Sequence, residues 1–164
     1  MGRNNFELNG VLVRRDLYRL VCLVAADSVI LETAIGDDDP VMALRDEFLF
    51  DEVVHLLVSI ATYNRVQLDH LASEESRRAP SGEECGILQA DVTDGADVPL
   101  TFREACNKII HAVHIVPETA GNPAEHPIGN VFILRGYRDK RAWQAFLNLG
   151  KFVRCSVANF AKVL

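Results

Sequence analysis

Four side chains suited to a phosphate ester lie close together late in the chain: Arg103, Asn107, His111 and His114. An arginine supplies fixed charge, an asparagine amide supplies hydrogen bonds, and an imidazole gives or takes a proton near neutral pH. At 3.6 residues per turn, Arg103, Asn107 and His111 fall at about 100°, 140° and 180° from Phe102, and His114 at about 120° if the helix reaches it. One polar stripe therefore runs beside a core face of Phe102, Cys106, Ile109 and Val113. Glu104 and Lys108 fall further round, where solvent is expected. The same stripe also fits plain packing, with Arg103 paired to an acid, Asn107 bonded to backbone and His111 capping a carbonyl.

The run Arg103-Glu-Ala-Cys-Asn-Lys-Ile-Ile-His111 resembles the motif helix of the HEPN superfamily. Its members are helical bundles, many of them ribonucleases of toxin–antitoxin and defence systems, and their motif is Arg, often then Asn, with His a few residues later. Asn107 and His111 match the Asn and the His. The family Arg falls on Cys106, and Arg103, one turn earlier, is the cation available in its place. The resemblance implies a metal-independent endoribonuclease in which Arg103 holds phosphate, Asn107 positions and His111 acts as acid–base. It also implies a homodimer with the two motif helices face to face. With Cys106 at the Arg position, it leaves open an inactive relative that only binds RNA.

A second basic group follows: Arg135, Arg138, Lys140 and Arg141, beside Tyr137. With His114, the residues Arg135, Arg138 and Lys140 are the candidate substrate contacts, at a phosphate-facing edge near the motif helix; a solvated turn is the plainer alternative. Net charge gives some support. The chain has 164 residues with 17 Lys and Arg against 23 Asp and Glu, for −6, which argues against a nucleic-acid binder that uses its whole surface. Residues 1–99 carry 8 basic and 19 acidic residues, whereas 100–164 carry 9 and 4, so the half holding the motif helix is basic.

Metal and cofactor chemistry find little here. Glu52 and His55 make one E-x-x-H spacing, but a di-iron bundle needs two. There is no H-E-x-x-H, no C-x-x-C, no phosphate-binding Gly loop before a helix and no G-x-S-x-G elbow. No metal and no cofactor are expected. Cys22, Cys85, Cys106 and Cys155 read as reduced thiols of a cytoplasmic protein. Cys85, following Glu83 and Glu84 in an expected loop, reads as a poor nucleophile. The apolar run Leu20 to Ala26 is too short to span a membrane, and Asp16 and Asp27 bound it.

These residues need a scaffold. Apolar residues make up 49% and charged residues 24%, the profile of a folded domain, and the length fits one domain over 1–164. Helical periodicity predicts a helix over 8–35, with an inner set from Leu12 to Ile35, and a second over 40–75. Asp39 is suited to cap the second and Pro40 to open it. Its inner stripe runs Leu44, Phe48, Val53, Leu57, Ile60, Ala61, Asn64, Leu68 and Leu71. Residues 77–99 read as a long loop, mobile in part. Thr101 to Glu104 is a capping box that starts the motif helix. Residues 113–137 read as an inserted β-hairpin, with strands at 113–116 and 131–134. Asp139 is then expected to cap a last helix to about 162. The expected fold is all-α, an antiparallel bundle of about four helices with a small hairpin before the last one. A function of a different class also fits such a bundle: a non-catalytic dimeric interaction protein, antitoxin-like, whose stripe serves a protein partner.

Overall fold

The computed structural model describes residues 10–36, 38–70, 80–93, 95–119, 121 and 125–161. Two long helices come first, α1 (Gly10–Thr33) and α2 (Pro40–His70). Asp39 joins them as expected: its carboxylate accepts the Val41 amide at 2.8 Å and the Ile35 amide at 2.7 Å. Residues 8–9 and 71–75 of the expected helices lie outside the described residues. The pair is antiparallel. Arg19 bridges to Glu52 near one end, and Arg45 Nε donates to Asp27 Oδ1 at 2.6 Å near the other.

The rest of the chain corrects the expected all-α bundle. It builds a five-stranded antiparallel sheet from β1 (Glu84–Gln89), β2 (Asp97–Thr101), β3 (His114–Pro117), β4 (Val131–Arg138) and β5 (Arg141–Asn148), in the order β2-β1-β5-β4-β3. Two further helices, α3 (Phe102–His111) and α4 (Leu149–Phe160), complete an α+β fold. The expected loop over 77–99 holds β1 and β2, apart from 77–79 and 94, which lie outside the described residues. The expected hairpin strands do pair, Ile115 opposite Leu134, but as the outer part of this larger sheet.

The largest correction concerns the last helix. Asp139 does not cap it; Asp139 and Lys140 form the turn between β4 and β5, with φ of 49° and 68°. Two consecutive left-handed residues make the tight turn whose twist matches paired strands. From there Trp143, Ala145 and Leu147 are buried on alternate positions, the period of a strand. The helix starts only at Leu149, where Asn148 Oδ1 accepts the Lys151 amide at 2.9 Å. Residue 162 of the expected helix lies outside the described residues.

One sheet face carries Cys85, Leu88, Leu100, Phe132, Leu134, Trp143, Ala145 and Leu147 into the core, with α2, α3 and α4 supplying the rest. Burying one such side chain stabilises by about 1.5–3 kcal/mol, so this layer dominates the packing. A buried polar link crosses it from α2 to α4. Asn64 donates to Ser156 Oγ at 2.9 Å and accepts from Asn159 at 3.0 Å. Gly86 bends β1 into the sheet at φ 153°; a Cβ there would sit 1.9 Å from the Phe146 carbonyl oxygen.

The other sheet face bears two complete cross-strand rows. One is Pro99, Ile87, Phe146, Ile133 and Val116; the next is Asp97, Gln89, Gln144, Arg135 and His114. Among the described residues this face has no helix on it. No helix among the described residues is long and apolar enough to cross a membrane.

Candidate nucleic-acid interface

Half of the expected capping box forms at the start of α3. Thr101 Oγ1 accepts the Glu104 amide at 3.3 Å, and Thr101 itself is extended. The Glu104 carboxylate turns to other work: it meets Lys108 Nζ at 3.4 Å and accepts from Asn107 Nδ2 at 3.3 Å. Phe102, Ala105, Cys106, Lys108 and Ile109 are the buried residues of α3. Lys108 was expected in solvent, but its ammonium lies 4.3 Å from the centre of the Trp143 ring. A cation over an indole face keeps favourable electrostatics after losing water, which lets the lysine stem bury.

The helix stops at His111. Ala112 is extended, and the Val113 amide donates to the Arg135 carbonyl at 2.8 Å, so the chain passes straight into β3. Val113, expected in the core, is exposed, and His114 belongs to a strand. The two imidazoles therefore leave in different directions. His111 lines a polar cleft of about 480 Å³ with Glu104, Asn107, Lys108, Tyr137, Arg138 and Trp143. The residue His114 borders another space of about 540 Å³ with His55 and Asp51, while its pairing with Arg135 sets its side chain on the open sheet face.

Arg103 is in neither. Its guanidinium donates to Asp69 Oδ1 at 2.9 Å and to the Leu68 carbonyl at 3.2 Å, clamping the end of α2. The expected set of Arg103, Asn107 and His111 is thus only partly assembled: Asn107 and His111 share a cleft, and Arg103 serves α2. Cys106 is buried, and burial pushes its thiol up to about 12. Of the candidate contacts, Arg138 joins the cleft beside the exposed Tyr137. Arg135 lies on the open sheet face opposite His114 and donates to Gln144 at 2.8 Å. Lys140 sits in the turn, exposed.

The cleft exists because of Gly136. A Cβ there would fall 2.4 Å from the Trp143 ring, so only a glycine lets the indole lie across β4 and under Lys108. Helical periodicity does not reveal Lys108 and Trp143 as cleft walls, because a helix begun at Asp139 takes Trp143 off the sheet. The signal that would have found them is the alternation of Trp143, Ala145 and Leu147.

The thiols also differ from expectation. Cys85 is not in a loop but buried on β1, its Sγ 3.8 Å from Cys155 Sγ on α4. The contact with Cys155 and then burial push the Cys85 thiol far up, whereas Cys155, accepting that contact, is held below the ordinary thiol range. Among the described residues no group of three or more His, Cys, Asp or Glu side chains is placed to hold a metal ion. Neither a family model, nor a curated protein, nor a solved structure matches the chain.

Proposed function

We propose that this is a cytoplasmic RNA-binding protein that holds a single-stranded segment in the cleft between α3 and the β4–β5 turn. The observation that carries the proposal is the shared cleft of Asn107, His111, Tyr137 and Arg138. Each has a role suited to RNA. Arg138 meets phosphate, Tyr137 offers a ring for base stacking, and Asn107 and His111 offer hydrogen bonds to base or ribose. Arg135 and His114 lie on the opposite, open sheet face, next to Phe146 and Ile133, and Tyr137, which shares the register of Arg135, links the cleft to that face.

The role is binding rather than cleavage. Metal-independent cleavage needs a base, an acid and a cation at one phosphate. His111 supplies one proton-transfer group. Arg138 supplies a cation, but Glu104, the carboxylate that would be the second proton-transfer group, is engaged by Lys108 and Asn107.

Trp143 is the chain's single tryptophan and lines the cleft, so its fluorescence reports occupancy. A single-stranded oligoribonucleotide should change that emission, with affinity falling steeply as salt rises. Tyr137→Ala and Arg138→Ala should each weaken binding about tenfold, and the RNA should remain intact. Binding unaffected by both variants, or no binding at low salt, would overturn the proposal. Cutting lost in His111→Ala would replace binding with catalysis.

A further inference from the structure

The outer side of the α1–α2 pair is apolar where an ordinary surface helix is polar. Tyr18, Cys22, Ala25 and Val29 follow one another along the outward stripe of α1, with Tyr18 71% and Val29 55% exposed. Beside them on α2, Leu44 and Phe48 are 58% and 55% exposed, which corrects the inner stripe expected of that helix: at 100° per residue both fall on the side away from Leu49, Val53, Leu56 and Ile60. Cys22, Ala25 and Ala26 are small and lie mid-helix, where a second helix could approach closely.

The charges on this face are arranged in opposition. Arg14 and Glu32 lie about five turns apart, hence in line on one edge of α1. Neither has an ion-pair partner among the described residues. The point midway between them is Leu23. The two bridges that join the helices, Arg19 to Glu52 and Asp27 to Arg45, straddle that same level, and Phe48 is the α2 residue found there. A two-fold axis crossing the face at this level maps one end of α1 onto the other while keeping the edge. It sets Arg14 of one copy opposite Glu32 of the next, Tyr18 over Val29, and Phe48 near its own counterpart. An isologous contact must be complementary to itself, and the Arg14–Glu32 edge of α1 meets that condition in charge.

We propose that the α1–α2 face is a homodimer interface in which two copies pack antiparallel as four helices, with the two-fold axis beside Phe48. The second copy is preferred over an unrelated partner because the complement to each charged end is present on the same face. No residue of α1 or α2 lines the polar cleft, so this interface leaves the cleft open, unlike a dimer built on motif helices.

Light scattering on the eluted full chain at tens of micromolar tests the proposal, with circular dichroism as the check on folding. The expected mass is twice that of one chain. Phe48→Glu, an exposed position, should yield folded monomer. Arg14→Glu and Glu32→Arg should each weaken association about tenfold by setting like charges together, and the double exchange should restore it. A monomeric wild type, a dimer indifferent to Phe48→Glu, or a double exchange no better than either single would each overturn the arrangement.

Discussion

Asp27 and Arg45 meet inside the molecule: Nε donates to Oδ1 at 2.6 Å, and both side chains are almost wholly removed from solvent. The pair does more than join α1 to α2. Asp27 Oδ2 accepts the Ile128 amide at 2.6 Å, and Arg45 donates to the His126 carbonyl at 3.2 Å, so it anchors the connection from β3 to β4. Removing one partner leaves a buried charge and an orphaned backbone group. Asp27→Ala should cost about 3–5 kcal/mol, while the double change Asp27→Leu with Arg45→Met should cost less than the single one. Urea unfolding of the three proteins checks this order.

The cysteines should separate by reactivity. Cys155 is half-buried and held below the ordinary thiol range by the contact from Cys85, whereas Cys85 and Cys106 are buried and pushed up. Iodoacetamide acts on thiolate, so Cys155 should label at lower pH than free cysteine does, with Cys85 and Cys106 protected until the protein unfolds. Mass spectrometry of timed digests reads the order. Equal labelling of Cys85 and Cys155 in folded protein would contradict it.

The β4–β5 turn holds strain that one substitution relieves. Lys140 has φ 68° and a Cβ that disfavours this region, whereas glycine enters it freely. Lys140→Gly should therefore stabilise the protein by about 1 kcal/mol, visible as a raised urea midpoint with unchanged slope. The equivalent change at Arg141, inside β5, should destabilise it.

Asp39 gives a pH signature. The Ile35 and Val41 amides it accepts hold its carboxyl below the usual carboxylate range. A group depressed in the folded state stabilises at pH above its unfolded value, and that stabilisation disappears as pH falls through the folded value. The wild type should therefore lose more of its melting temperature between neutral pH and pH about 3 than Asp39→Asn does. Parallel melting curves in acid would contradict this.

Sequence alone carried the helices whose signals are local. Asp39 and Pro40 marked the start of α2, and Thr101 with Glu104 marked the start of α3. It also paired the segments that became β3 and β4. It failed at β5 because Trp143, Phe146 and Leu147 satisfy a helical spacing as readily as Trp143, Ala145 and Leu147 satisfy an alternating one. Only pairing with β1 and β4 on either side decides between them. β1 and β2 were hidden for a related reason: they are short, lie among Gly and Asp residues, and depend on β5 to have a sheet to join. In the site, Asn107 and His111 were placed together by helical geometry, whereas the partner of Arg103 is Asp69, on a helix whose position no local pattern reveals.

The sheet order sets a timetable for assembly. β1 and β2 can pair as soon as both exist, and so can β3 and β4, but the two pairs do not touch until β5 arrives between them. Each is then a separate two-stranded ribbon, marginal in water, with an edge open to mispairing. The strand that unites them is also the one whose local sequence leans towards helix. Closure of the core thus waits on the segment least committed to its final form, and that step is where a slow phase in folding, or an aggregate, should originate.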